Sequence, residues 1–199
     1  MKIIGVTGGV GAGKSQVLSY LKERYEAHVI QADHVGHLVI EPGGACYEAV
    51  LGMFGTDVRM EDGSINRGLV AQRMFGHEDL RQKMNHLIHP AVKKYILQEI
   101  RRGQADQWKV LVVEAALLLE DDYGAFCDEL WYIYASEQTR AQRLMDSRGY
   151  SAEKIKNLFA SQYKEAQFRE GCDFTLHNDG DFSETEKQID KRMEQYEIM

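Results

Sequence analysis

Gly8-Gly9-Val10-Gly11-Ala12-Gly13-Lys14-Ser15 follows the pattern G-x-x-x-x-G-K-[ST], a loop whose backbone N–H groups cradle nucleotide phosphates. Gly8 and Gly13 hold the pattern's fixed glycine positions, and Gly9 and Gly11 loosen the loop further. Without Cβ atoms the chain can curl until several N–H groups face one anion. Lys14 is long enough to reach the β- and γ-phosphates, and the Ser15 hydroxyl suits the shell of a Mg²⁺ ion. A helix beginning at Lys14 aims the positive end of its dipole at the same charge. The flanks agree. Residues 2–7, Lys-Ile-Ile-Gly-Val-Thr, read as a buried strand, and residues 16–24 as a helix with Val17, Leu18 and Leu21 near one face. Strand, glycine-rich loop and helix is the setting this mechanism needs. The plain alternative, a glycine-rich turn with an exposed lysine, leaves that setting to chance.

The rest of the chain bounds the reading. Its 199 residues suit one domain with subdomains, and 44% hydrophobic and 28% charged residues suit a soluble globular protein. A net charge of −7 argues against broad nucleic-acid binding, so positive charge has to be concentrated locally at a phosphate site. Cys46, Cys127 and Cys172 form no C-x-x-C pair, which gives neither a disulfide framework nor a zinc site. The N-terminus enters its first strand after one lysine, unlike a signal peptide. The apolar run at 110–119 is interrupted by Glu114 and is too short to span a membrane. A cytoplasmic location is expected.

Strands are expected at 28–31, 109–113, 129–134 and 174–177. Helices are expected at 44–55, 67–75, 78–102 with a kink or restart at Pro90, 136–147, 151–169 and 183–197. This alternation predicts an α/β fold, a doubly wound parallel sheet. More than seventy residues separate the strand ending at Gln31 from the one starting at Lys109. A crossover needs only a dozen or so. The surplus predicts a helical acceptor-binding insert at about 34–107 and leaves a core of about 1–33, 108–135 and 172–199. Parallel strands end on one edge, where ligands bind, so the loop, Asp33 and Glu114 should share a rim. Trp108, Trp131, Tyr132 and Tyr134 lie in or beside strands and are expected in the core.

Several side chains on that plan could carry chemistry. Asp33 could orient or deprotonate an acceptor hydroxyl, or it could cap the helix that follows. Glu114 could contact Mg²⁺ through water, or be solvated at a strand end. Arg140, Arg143 and Arg148 fall in one stretch, and Arg140 and Arg143 share a helix face. They could form a lid at about 136–171 over transferring phosphoryl groups, or a solvated helix. His86 and His89 lack further ligands at a workable spacing, so a helix surface or a substrate contact is favoured over a metal.

Beyond these local readings, the chain resembles the dephospho-coenzyme A kinase family over nearly its whole length. The resemblance is carried by Ile4 through Ser15, by Val29-Ile30-Gln31-Ala32-Asp33, and by Phe54-Gly55 with Asp62-Gly63-Ser64-Ile65-Asn66-Arg67. Asn85-His86-Leu87-Ile88-His89-Pro90, Glu114 through Glu120, Arg143 with Arg148, Gln162, and Cys172 through Asn178 complete it. The chain departs from the family pattern at Gln16, Gln31, Asn66, Ala116, Leu119, Gly149 and Cys172, none of which removes a group the chemistry needs. The resemblance implies ATP-dependent phosphorylation of the ribose 3′-hydroxyl of dephospho-coenzyme A, with Mg²⁺. It implies ATP binding by Gly8 through Gln16 (Gly8, Gly9, Val10, Gly11, Ala12, Gly13, Lys14, Ser15 and Gln16) together with Arg140, Arg148 and Asn178. The catalytic set it implies is Lys14, Asp33 and Arg143. Asp33, Arg67 and His89 would face the acceptor, and Ser15 would hold Mg²⁺, with Glu114 acting through water. The expected partners are these two small molecules, with no nucleic acid and no membrane, for a monomer or weak homo-oligomer. The competing readings are another small-molecule or nucleoside monophosphate kinase and a non-catalytic ATP sensor. A switch GTPase is disfavoured because the chain has no Asn-Lys-x-Asp motif.

Overall fold

The computed structural model describes residues 1–116, 118–119 and 123–198. Among the described residues five strands form one sheet in the order β2-β3-β1-β4-β5, with β1 (Lys2–Thr7) at the centre. The others are β2 (His28–Gln31), β3 (Val110–Glu114), β4 (Glu129–Tyr134) and β5 (Phe174–His177). β1 pairs in parallel with β3, Ile4 opposite Val112, and with β4, Val6 opposite Trp131. β4 pairs in parallel with β5, Tyr132 opposite Thr175. β3 is buried at every position, and β1 from Ile3 onward. A parallel sheet covered on both faces calls for such continuous apolar runs.

On one face Ile4, Val6, Val112, Trp131 and Ile133 pack with Val17, Leu18 and Leu21 of α1 (Lys14–Tyr25). Ile189 and Met193 of α9 (Phe182–Glu194) join them. The opposite face is crowded too, for a Cβ on Gly5 would lie 2.6 Å from Leu130 Cδ2. Removing a large side chain from such a core costs about 2–5 kcal/mol. Trp131 and Tyr132 are core residues as expected, whereas Trp108 is only half-buried, stacked on His28 with ring centroids 3.4 Å apart. Tyr134 is also half-buried, beneath the Arg169 guanidinium.

The chain divides into two compact units, residues 1–30 with 103–199, and residues 31–102. The first contains α1, β1, β3, β4, β5, α6 (Glu137–Arg148), α7 (Ala152–Ala160), α8 (Glu165–Gly171) and α9. In the second, α2 (Ala32–Leu38), α3 (Tyr47–Phe54) and α4 (Arg67–Met74) precede the long α5 (Glu78–Ala105), which runs on into the first unit. Gly36 of α2 lies against Ile88 and Val92 of α5. Cys46 Sγ contacts the Leu87 carbonyl, and the Tyr47 hydroxyl donates to the Gly63 carbonyl.

Two helices differ from expectation. α5 continues through Pro90, although that residue cannot donate to the carbonyl one turn back. Met84, Val92, Ile96 and Ile100 form one buried stripe across the proline, and tertiary packing holds the helix together. The helix expected at 151–169 is two helices. Ser161 turns back to bond the Leu158 carbonyl, and the Lys164 N–H donates to Gln167 Oε1 to open α8. Gln162 lies in the break. Among the described residues no helix is long and apolar enough to cross a membrane.

Candidate active site

The carboxyl ends of β1, β3, β4 and β5 share one edge, and the glycine-rich loop leaves β1 there. Gly13 is the N-cap of α1 with φ 88°, a conformation glycine adopts without steric cost. Lys14, Ser15 and Gln16 form the helix's first turn; the Gln16 N–H donates to the Gly13 carbonyl at 3.1 Å, while the Lys14 and Ser15 N–H groups precede the first intrahelical bonds. The loop folds on itself through the Ala12 N–H, which donates to the Gly9 carbonyl at 3.2 Å. Lys14 Nζ donates to the Gly8 carbonyl at 2.7 Å and lies 3.8 Å from Glu114 Oε1. Glu114 ends β3 beside Val6 and is 8% exposed. A carboxylate held this way keeps the ammonium at the loop's mouth.

Side chains from distant segments hold the loop from outside. Arg140 Nε donates to the Val10 carbonyl at 2.9 Å, and its Nη2 donates to Gln162 Oε1 at 2.9 Å. The same Gln162 oxygen accepts the Val10 N–H at 3.1 Å. The Arg140 guanidinium stands 4.2 Å from the centre of the Phe159 ring and is 8% exposed. Burial pulls its pKa below the ordinary arginine value. A Cβ on Gly9 would sit 2.4 Å from Arg140 Cζ, so the glycine makes room for the arginine. One turn along α6, Arg143 donates to the Ala12 carbonyl at 3.4 Å and to the Asn178 carbonyl at 2.8 Å. Asn178 Nδ2 donates to the Ala12 carbonyl at 2.8 Å, and its Oδ1 accepts from the Thr185 hydroxyl at 3.0 Å.

α6 is fixed at its start. Ser136 caps it, accepting from the Thr139 N–H, while the Ser136 N–H donates to Asp179 Oδ1 at 2.8 Å. Hydrogen bonds from Ser136 and Thr139 hold the Asp179 carboxyl below the usual range against the opposing effect of burial. Thr185 and Asp179 were not legible as site residues, because nothing in a lone Thr or Asp marks a partner many residues away.

The structure thus brings together Gly8 through Ser15, Glu114, Arg140, Arg143 and Asn178. Arg148 is exposed at the end of α6, 5.9 Å from the Tyr150 ring centre. Asp33 is exposed in the first turn of α2, two positions beyond the N-cap Gln31. The capping alternative for Asp33 therefore does not hold. Arg67 is exposed as the first residue of α4, where Asn66 caps by accepting the Leu69 N–H at 3.0 Å. His89 is half-buried on α5, the helix against which Asp33's helix packs. His86 is exposed, its Nδ1 2.7 Å from the Gln82 carbonyl of its own helix. Glu120, at the end of the stretch after β3, lies outside the described residues.

Among the described residues no three His, Cys, Asp or Glu side chains cluster as a metal site. A Mg²⁺ that arrives with a nucleotide needs only one or two protein oxygens, the rest coming from phosphates and water. Ser15 and the partly buried Glu114 carboxylate are oxygen donors of that kind at the loop.

A parallel sheet with this strand, loop and helix at its carboxyl edge, a lysine in the loop and arginines folded onto it defines a P-loop kinase. The family model described as dephospho-CoA kinase matches residues 2–184, and the chain belongs to that family. It is 32% identical over 194 residues to the dephospho-CoA kinase of Streptococcus mutans, covering 96% of each chain. With that of Geobacillus kaustophilus it shares 28% over 196 residues, covering 98% of this chain and 97% of the relative. The solved dephospho-CoA kinase from Campylobacter jejuni superposes with a TM-score of 0.73 at 20% identity, over 98% of this chain and 97% of that one, a likeness of fold.

Proposed function

We propose that the protein transfers the γ-phosphoryl group of ATP to the ribose 3′-hydroxyl of dephospho-coenzyme A, giving coenzyme A and ADP. The observation that carries this reading is the family match over residues 2–184 on a chain whose phosphate loop, lysine and loop-facing arginines are all in place. Asp33 accepts the 3′-hydroxyl proton as that oxygen bonds to the γ-phosphorus, and the bond from the γ-phosphorus to the bridging β-γ oxygen breaks to release ADP. Its exposed place in the first turn of α2 leaves the carboxylate accessible to a substrate. The loop from Gly8 through Gln16 binds the phosphates with N–H groups such as those of Gly11 and Gly13, which its internal hydrogen bonds do not take, and Lys14 neutralises their charge. Mg²⁺ arriving with ATP would supply positive charge against the phosphates. Ser15 would hold it, with Glu114 acting through water. Arg143 and Arg148 close on the transferring group, and Asn178 lies at the nucleotide side. Positioning and electrostatics carry the rate, with little covalent chemistry from the protein.

The insert at about 34–107 binds the acceptor through Arg67 and His89, and the segment at about 136–171 is the lid. The enzyme works in the cytoplasm as a monomer or weak homo-oligomer. The test is a substrate panel with ATP and Mg²⁺. Dephospho-coenzyme A should release ADP far faster than any nucleoside monophosphate or other small hydroxyl compound. A nucleoside monophosphate that outpaces it would refute the assignment.

A further inference from the structure

The hydrogen bonds around Val10 and Ala12 fix how the loop's peptides face. In a planar trans peptide the C=O and the next residue's N–H point to opposite sides. The Val10 carbonyl is turned to Arg140 Nε, so the Gly11 N–H of the same peptide is turned away from Arg140. The Ala12 carbonyl is turned to Asn178 and Arg143, so the Gly13 N–H is turned away from them. Val10 is bracketed at both ends, because its N–H is taken by Gln162 Oε1. That oxygen also accepts from Arg140 Nη2. Val10, Arg140 and Gln162 therefore close a ring, with each of them bonded to the other two.

Arg140 is built into this ring. It is 8% exposed, lies over Phe159, and fills the space where a Cβ on Gly9 would be. Its Nε donates to the loop and its Nη2 to Gln162, so one guanidinium bridges the two segments. Gln162 is placed for its part by the break between α7 and α8.

We propose that Arg140 and Gln162 are positioning residues, a clasp that holds the glycine-rich loop in its phosphate-accepting shape, with Arg140 acting through the loop's backbone rather than on the phosphates. This rests on the ATP-binding reading of the loop given above. A loop with four glycines has much conformational freedom to lose when it orders around an anion. A clasp that removes this freedom beforehand raises affinity without touching the ligand. Gln162 thereby ties the break between α7 and α8 to the nucleotide loop.

The test uses the full chain and titrates ADP, inorganic pyrophosphate and adenosine by calorimetry against the unaltered protein, Gln162→Leu, Arg140→Lys, Arg140→Met and Gln162→Leu with Arg140→Lys together. Gln162 is half-buried, and leucine fits its volume, so this variant folds; melting curves check that. The clasp predicts about tenfold weaker ADP and pyrophosphate binding for Gln162→Leu and unchanged adenosine binding. It predicts that Arg140→Lys loses as much as Arg140→Met, because an ammonium cannot reproduce the fork between Val10 and Gln162. The double variant should be no more than about threefold worse than either of its single changes, since all break one ring. In turnover, the KM for ATP should rise by more than kcat falls. Near-normal pyrophosphate affinity in Gln162→Leu, or Arg140→Lys retaining the affinity that Arg140→Met loses, would overturn the clasp and make Arg140 a direct charge on the phosphates. A loss of adenosine affinity equal to that for pyrophosphate would reduce the role to general structure and overturn it too. Failure of the unaltered protein to bind ADP would instead refute the ATP-binding reading, and the clasp with it.

Discussion

Replacing Asn178 by alanine should loosen the phosphate loop, and the structure sets the size of the effect. The side chain is 1% exposed and makes two hydrogen bonds, donating to Ala12 O at 2.8 Å and accepting from Thr185 Oγ1 at 3.0 Å. Neither partner is stranded by the change. Thr185 also donates to the His177 carbonyl at 3.1 Å, and Ala12 O keeps Arg143 at 3.4 Å. The cost is therefore about 1 kcal/mol for each lost bond and about 1 kcal/mol for the small cavity, some 3 kcal/mol in all. For a chain of this size 1 kcal/mol moves the melting temperature by about 2–4 °C, so the variant should melt about 6–12 °C lower. Asn178→Asp is the sharper version. It keeps the shape but sets a carboxylate oxygen where Nδ2 faced the Ala12 carbonyl. Its deficit should be at least as large at pH 8 and should shrink on acidification, because a protonated carboxyl regains a donor. The assay is scanning calorimetry with and without ADP across that pH range. An alanine variant that melts within about 2 °C of the parent and binds ADP normally would refute the reasoning that Asn178 holds the loop.

Further outcomes follow from other parts of the molecule. Asp33→Asn, a change at an exposed position, should leave melting and ATP affinity unaltered and lower kcat by about 10²–10⁴; near-normal turnover removes Asp33 from the mechanism. Arg192 pairs with Glu129, which is 4% exposed and whose carboxyl is pushed upward chiefly by burial. Arg192→Met should cost about 2–3 kcal/mol at pH 8, less than a fully buried pair because Arg192 is itself partly exposed. A raised folded-state pKa costs stability as pH rises, and without Arg192 the ionised carboxylate also lacks its partner, so the variant loses more than the parent and the melting deficit should widen from pH 5 to pH 8; a constant gap contradicts it. Burial pushes the Cys127 and Cys172 thiols up to about 12 and raises Cys46 as well. Ellman's reagent at pH 7.5 should therefore label the folded protein slowly, releasing three equivalents only in denaturant; three fast thiols in the native state contradict the burial.

Much of this was legible in the sequence where the signal is local. The loop from Gly8 to Ser15, the strand before it and the helix after it are contiguous and each carries its own pattern. The continuous apolar run of β3 announces a strand buried on both faces. The arginines are different. Arg140 and Arg148 lie on one helix, yet one is buried against Val10 and the other exposed beside Tyr150. Which is which depends on how α6 is phased against a loop 130 residues earlier. Gln162 falls in the break of what reads as one helix, and its side chain bonds Val10, a contact that leaves no trace in periodicity. Trp108 was read as core by its place beside a strand, but it lies before β3 begins and stacks on His28 instead. Asp33 missed the capping position because α2 starts directly at the end of β2, which puts Gln31 at the cap.

Phosphoryl transfer itself can be followed by incubating the protein with ATP, Mg²⁺ and dephospho-coenzyme A, measuring ADP, and locating the new phosphate on the product by mass and phosphorus NMR. ADP release should depend on the acceptor, and the product should carry one added phosphoryl group on the ribose 3′-oxygen. ADP release that is indifferent to the acceptor, or a phosphate placed elsewhere, would contradict the proposed transfer.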